Sequence, residues 1–233
     1  VGYNAASEIL SRMTGDAAPE DWQGGLDLTY RITGGSDMTV RVRVNQPKAL
    51  TRAVNVVGTL EGTEFPDEWF ILGSHYDPWG FGAVDPNGGT SMLLVLAEAL
   101  GELAEQGCGP RRSIMIAHWD AEEYGIIGST EWVEEFLPEL TSGAIAYINA
   151  DSAVSGPNFN TSSSPSLKQP ILDAIQDVSY AGEDRSIYEW WAERTDDGLP
   201  TMGNLGGGSD HVAFYTHAGI PSASLGSGGR SGI

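Results

Sequence analysis

The strongest constraint on this chain is a repeated exchange, from about residue 69 onward, between short apolar runs and longer stretches of helical periodicity. Trp69–Gly73, Ile114–Trp119 and Ala144–Ala150 have strand length and are dominated by apolar side chains. Between the first two, Met92, Val95, Leu96, Ala99, Leu100 and Leu103 recur at the spacing of one helical face. Ser129–Phe136 and Leu167–Val178 read as further helices, and a Gly-rich loop at Gly206–Gly208 leads into a last one around His211–Thr216. Strands without polar alternation are covered on both faces. The pattern therefore predicts an α/β fold with a mostly parallel, mixed central sheet flanked by helices.

The first fifty residues read differently. Ala6, Ile9, Leu10 and Met13 sit at helical spacing. Leu26–Ile32 and Met38–Val44 alternate in polarity around Thr-Gly-Gly-Ser-Asp, which predicts a β-hairpin. Leu50–Leu60 predicts a third strand, and the composition shift near residue 50 predicts two regions, 1–49 and 50–233.

Bulk properties exclude several functions. Acidic residues number 32 against 12 basic ones, and a net charge of −20 repels both phosphate backbones and anionic lipid, so neither a nucleic acid nor a membrane surface is an expected partner. The single cysteine, Cys108 in a Gly-Cys-Gly-Pro turn, excludes an intrachain disulfide framework and a cysteine-rich zinc module. No apolar run approaches the roughly 20 residues that span a bilayer.

Acidic and imidazole side chains gather where the predicted strands end. His75 and Asp77 close one strand and Asp85 follows in a loop; Glu122 and Glu123 come just after a second; Asp151 ends a third. In open α/β sheets, ligands collect at the carboxyl ends of the strands. Imidazole and carboxylate are ordinary zinc ligands, and an adjacent carboxylate can serve as general base. Taken singly, each has another reading: a strand-end histidine, glutamates complementing a helix dipole, an aspartate capping the next segment. Three strands ending this way together point to a metal site.

Five stretches carry a resemblance: Ile71–Pro86, Pro110–Ile114, Trp119–Gly125, Gly128–Trp132 and Tyr147–Ser152. They are similar to the glutamate carboxypeptidase and transferrin-receptor-like branch of the co-catalytic zinc aminopeptidase family, and the likeness runs from Val1 to Ile220. The resemblance implies a zinc exopeptidase with two Zn²⁺ ions and a peptide substrate. His75 and Asp151 would hold one ion, Asp85 would bridge to the second, Glu123 would bind that second ion, Glu122 would be the general base, and Asp77 would orient His75. Gly208 and Ser209 fall at substrate-binding positions, and Glu131 and Glu134 match two ligands of a structural Ca²⁺ site. Residues 1–49 would be the tail of an apical, protease-associated domain, and 50–233 a peptidase domain ending before its last histidine ligand, which leaves the 233-residue piece inactive by itself. A homodimer and an extracellular or periplasmic location are also implied, with a cis Asp85–Pro86 bond, an inexpensive state before proline.

A non-catalytic receptor module shares this fold, but would have no need of the five metal-site residues together. Departures from the family pattern concern specificity: Thr161, Ser224 and Gly226 replace arginines that favour acidic residues, and Ser209 replaces an asparagine. Of the other histidines, His211 is expected outside the metal shell, His118 in the core and His217 in solvent. Trp190 and Trp191 read as packing anchors.

Overall fold

Four parallel strands form the centre of the sheet. The computed structural model describes residues 2–229; Val1 and residues 230–233, the end of the expected peptidase region, lie outside it. The chain divides into two compact units, Val1–Thr51 and Arg52–Ile233.

The first unit contains helix α1 (Tyr3–Leu10) and a short 3-10 turn at Glu20–Trp22. The expected hairpin is not formed. Backbone bonds such as Ala18 N–H to Tyr30 O (2.8 Å) and Ile32 N–H to Asp16 O (2.9 Å) hold the segment, around one isolated bridge between Ala17 and Arg31. Val40, Val42 and Val44 are exposed, so among the described residues the alternation has no layer to pack against and no partner strand.

In the second unit the strands are β1 (Val56–Leu60), β2 (Phe65–His75), β3 (Arg112–Trp119), β4 (Ala144–Asn149), β5 (Asn158–Ser163) and β6 (Ser222–Gly228). Among the described residues they form one sheet in the order β1-β3-β2-β4-β6-β5. Pairs β2–β3, β2–β4 and β4–β6 are parallel, and β1 and β5 close the edges antiparallel. The predicted strand at Leu50–Leu60 thus begins only at Val56, because pairing with β3 starts at Val56 opposite His118. Helices are α2 (Asn87–Glu105), α3 (Ile127–Glu135), α4 (Leu137–Gly143), α5 (Pro165–Ala174) and α6 (Ile187–Ala192). The helix expected around His211–Thr216 is largely a π-helical turn, Ala213–His217.

The chain steps from β2 through α2 to β3 on one side, then through α3 and α4 to β4 on the other, so the winding direction reverses around β2. Two apolar clusters follow. Ile71, Ala117, Trp119, Val133, Leu140, Tyr147 and Phe214 fill one face, while Leu93, Ala150 and Ala153 lie with Leu72 and Ile116 on the other. Reversal of this kind opens a crevice at the carboxyl ends of the central strands. The predicted packing role of the tryptophans holds: Trp190 is buried and stacks on Tyr180 with centroids 4.4 Å apart, and Trp191 meets Phe159 edge-on. No described helix is long and apolar enough to cross a membrane.

The start of α2 is pressed against the end of β4. A methyl group on Gly89 would lie 1.4 Å from Ala150 O and 2.2 Å from Asp151 O, both backbone atoms that cannot swing aside. Thr90 Oγ donates to His75 O at 2.6 Å, tying the same turn to the end of β2. Gly89→Ala is therefore expected to destabilise the chain by about 3 kcal/mol or more, at the upper end of overpacking penalties. Gly101→Ala on the same helix, where an added methyl meets nothing within 4 Å, is expected to be neutral or stabilising by up to ~1 kcal/mol. Urea unfolding of the two variants checks this; similar midpoints for both would refute it.

Candidate metal centre

β2 delivers His75 to the crevice as a buried side chain, 1% exposed, with a fixed tautomer in its neutral form. Its Nδ1–H donates to the backbone carbonyl of Asp77 at 3.0 Å, which turns Nε2 outward. Around Nε2 lie Asp85 Oδ1 at 3.0 Å, Asp151 Oδ1 at 3.2 Å and Glu122 Oε2 at 4.0 Å. His75, Asp85 and Asp151 each present a ligand atom, all within 4.8 Å of one another. The Asp85–Pro86 bond is cis, as the resemblance implies.

Asp77 contacts the ring less directly than expected. Its carboxylate is 3.5 Å from His75 Nδ1 and is engaged elsewhere, accepting the N–H of Glu122 at Oδ1 (3.0 Å) and of Glu123 at Oδ2 (3.2 Å). Asp77 thus orients the ring through its carbonyl and the glutamate loop through its side chain. That loop is strained. Ala121 and Ile126 have φ of +57° and +58°, each costing on the order of 1–2 kcal/mol. Compensation comes from Asp120, whose N–H bonds Asn55 Oδ1 and whose Oδ2 accepts Val54 N–H, and from Glu122 O, which accepts the N–H groups of Gly125 and Ile126.

Glu123 lies outside the three-residue cluster; its Oε1 accepts a long bond from Trp79 N–H at 3.4 Å. Ser209 turns inward. Its hydroxyl donates to Asp151 Oδ2 at 2.6 Å and accepts from Asn149 Nδ2 at 2.8 Å. Gly208 beside it is exposed with φ +94°, a conformation glycine adopts freely. Glu131 and Glu134 are exposed, one turn apart on α3. His211 is buried with Nε2 against Gly206 O and is not in the cluster, while His217 is exposed and His118 buried. Asp210, fully buried, accepts Ser129 Oγ–H at 2.6 Å, and among the described residues its second oxygen has no partner.

These surroundings shift the titrating groups. Burial alone would lower His75, but the bond and charge of Asp151, with Asp210 and Glu122, raise it to about 10. Burial, with Asp151, Glu123 and Asp77 nearby, pushes Glu122 up to about 7 against the opposing effect of His75. Asp210 also rises to about 7, chiefly through burial. Asp151 is held below the usual range: burial pushes upward, but bonds from His75, Ser209 and Ser152 outweigh it.

Two carboxylates about 5 Å apart repel by roughly 3 kcal/mol at an effective dielectric constant near 20. One imidazole and convergent oxygens of this kind form a donor set suited to a divalent ion. An α/β sheet with such a cluster at its carboxyl edge is the frame of a metal-dependent hydrolase. The comparisons agree. Residues 55–231 match Peptidase family M28, and the chain belongs to that family. It is 46% identical over 222 residues to a probable glutamate carboxypeptidase of Arabidopsis thaliana, covering 94% of this chain and 31% of that protein. It is 39% identical over 242 residues to the aminopeptidase NAALADL1 of Mus musculus, covering 97% of this chain and 32% of that one. The chain thus spans about a third of the length of these relatives. Among solved structures, a Peptidase M28 precursor from Shewanella amazonensis superposes with TM-score 0.53 at 25% identity, over 74% of this chain and 35% of that one. A zinc aminopeptidase from Bacillus subtilis gives TM-score 0.51 at 24% identity, over 75% and 40%, and shows the same fold.

Asp210 supplies a pH test. Its folded value, about 7, lies above the unfolded carboxylate value near 4, so its contribution to stability is fully present below about pH 4 and is lost as pH rises through 7. Glu122 acts in the same direction. With chelator present, Asp210→Asn is expected to flatten the fall in stability between pH 4.5 and 7.5 by roughly 2–4 kcal/mol, since each tenfold change in proton affinity corresponds to about 1.4 kcal/mol. Urea midpoints across that range check it; an unchanged slope would contradict it.

Proposed function

We propose that this chain carries the catalytic centre of a zinc-dependent exopeptidase of the glutamate carboxypeptidase type, hydrolysing a terminal peptide bond. The observation that carries this reading is the buried His75 imidazole with Asp85 and Asp151 beside it and Glu122 4.0 Å away. His75, Asp85, Asp151 and Glu123 are the residues that would hold two Zn²⁺ ions, Asp85 being the one that would serve both. Bound in such a site, zinc polarises a carbonyl oxygen and makes water acidic enough to attack at neutral pH.

The chain's own groups do the rest. Glu122, mostly buried and with its pKa at about 7, accepts the proton of the attacking water and passes it to the leaving amine. Asp77 holds the Glu122 and Glu123 backbone in register with His75 by its two N–H contacts. Gly208 and Ser209 border the substrate, the former with a backbone free of Cβ, the latter fixing Asp151. An aminopeptidase of the same chemistry is the second reading, favoured by the name of the mouse relative; peptides blocked at one terminus or the other distinguish the two. A third, a binding module without catalysis, is disfavoured by the intact set of five residues.

We also propose that Glu131 and Glu134 contribute to a structural Ca²⁺ site, that residues 1–49 belong to an apical, protease-associated domain, and that the whole protein is an extracellular or periplasmic homodimer.

Two tests follow. Glu122→Gln is expected to retain zinc while the whole enzyme loses at least about 100-fold in turnover, a typical general-base contribution. Asp85→Ala is expected to lose zinc. Metal analysis alongside turnover decides; zinc lost from the first variant and kept in the second would reverse the roles. For specificity, Thr161 Oγ donates to Ser224 O at 2.9 Å, and no guanidinium stands at Thr161, Ser224 or Gly226 to meet a substrate carboxylate. Each lost charge-assisted bond is worth about 1.5–3 kcal/mol, so neutral residues are expected to match or exceed acidic ones on the non-prime side of the bond cleaved. A peptide series in which Asp or Glu still wins by about two orders of magnitude would exclude this.

A further inference from the structure

Behind the cluster runs a buried line of polar groups that joins the aromatic core to Asp151. Trp119 Nε1–H donates to Tyr147 Oη at 3.0 Å, and Tyr147 Oη–H donates to Asn149 Oδ1 at 3.0 Å. Asn149 Nδ2–H donates to Ser209 Oγ at 2.8 Å, and Ser209 Oγ–H donates to Asp151 Oδ2 at 2.6 Å. Trp119, Tyr147 and Asn149 are each 0% exposed and Ser209 is 8% exposed.

The direction of every bond in this line is forced from its far end. An indole N–H can only donate, so the Tyr147 oxygen must accept there. Its own proton then has one acceptor, Asn149 Oδ1, and this fixes which end of the amide faces the tyrosine. The amide N–H₂ is left facing Ser209, whose oxygen accepts and whose proton is thereby directed to Asp151. The reversed amide would put two donors on the Tyr147 oxygen, leave the tyrosine proton without an acceptor, and turn the Ser209 proton toward Asn149, away from Asp151. Such a reversal would strand buried polar groups at about 1–3 kcal/mol each.

The surrounding packing keeps the line in place. The Tyr147 ring stacks on Phe214 with centroids 3.9 Å apart and planes 7° from parallel. Gly73 leaves the space in which the Trp119–Tyr147 bond forms: an added Cβ would stand 2.3 Å from Tyr147 Oη and 2.5 Å from Trp119 Nε1.

We infer that Asn149, oriented by Tyr147 and Trp119, is a positioning residue that locks the Ser209 hydroxyl as a donor to Asp151, so that the other carboxylate oxygen, Oδ1, is presented toward His75 and the metal. The inference rests on the reading of Asp151 as a zinc ligand. Asn149 is outside the His75, Asp85 and Asp151 donor group, and on this reading it acts through Ser209.

The experiment is a cycle of zinc affinities, measured by competition with a chromophoric chelator on the 233-residue chain. It compares the unaltered chain, Ser209→Ala, Asn149→Leu and the double variant, with urea unfolding in chelator to establish that each is folded. Loss of a partner to a metal-binding side chain lowers affinity by about 10–100-fold. Each single variant is expected to bind zinc about tenfold more weakly, and the double variant to bind like Ser209→Ala, because once the hydroxyl is gone Asn149 has nothing left to orient. A purely structural role for Asn149 would make the two penalties multiply, and that result would overturn the inference, as would wild-type affinity in Asn149→Leu. Should Asn149→Leu not fold, Tyr147→Phe takes its place in the cycle. It removes only the hydroxyl and keeps the ring on Phe214, and the same non-additivity with Ser209→Ala is expected. An unaltered chain that takes up no zinc sinks the metal-site reading itself, an outcome separate from any failure of the cycle.

Discussion

The cluster of carboxylates around the single His75 imidazole is the interaction on which the rest of this structure depends. Burying one imidazole at the end of a central strand would ordinarily favour its neutral form, and here the surrounding acids reverse that preference. The acids are stabilised by the same contact, which is why Asp151 remains ionised while mostly buried. Segments around this edge of the sheet support the contact. Thr90 ties α2 to the backbone of His75, Asp77 gathers the glutamate loop, and Ser209 holds the far oxygen of Asp151. The site is therefore assembled from β2, β4 and three loops, none of which could present the group alone.

The sheet makes this convergence available through two close approaches that only glycine permits. Gly89 lets the first turn of α2 lie on the carbonyls of Ala150 and Asp151, bringing the end of β4 against the helix that follows Asp85. Gly73 lets two aromatic side chains meet across the central strand. One glycine sets the distance between backbones at the site, and the other makes room for the polar line behind it. The local strain at Ala121 and Ile126 lies in the same region, where functional geometry commonly overrides backbone preference.

The α/β frame was legible in the sequence, because its central strands β2, β3 and β4 are apolar runs separated by helical periodicity. His75, Asp85, Glu122 and Asp151 stand out because each follows an apolar strand, where a polar residue must be exposed, paired or functional. The last two strands, β5 and β6, were not visible. Apart from Phe159 and Leu225, Asn158–Ser163 and Ser222–Gly228 consist of small and polar residues with no apolar alternation, and their strand character comes from pairing β5 with β6 and β6 with β4. The opposite error arose at Met38–Val44, where a good alternating pattern forms no strand. Alternation reports which face would be buried; it does not supply the layer that buries it. The polar line through Tyr147, Asn149 and Ser209 was beyond reach of spacing alone, since Ser209 lies 60 residues from Asn149 in the chain.

The three clustered side chains are held with unequal firmness, and this bears on how the site would accept an ion. His75 is fixed by strand pairing and by its bond to Asp77 O, and Asp151 by Ser209 on one oxygen and Ser152 on the other. Asp85 is different. Its side chain is 56% exposed, and it meets His75 at 3.0 Å with Asp151 beside it. A pre-set pair with a looser third member keeps the ordering entropy of the site low, because only one of the three side chains has freedom left to lose. On the proposed reading Asp85 is also the group shared between ions. A shared carboxylate must adjust to both, so the least constrained position in the cluster is physically the suitable one for that role.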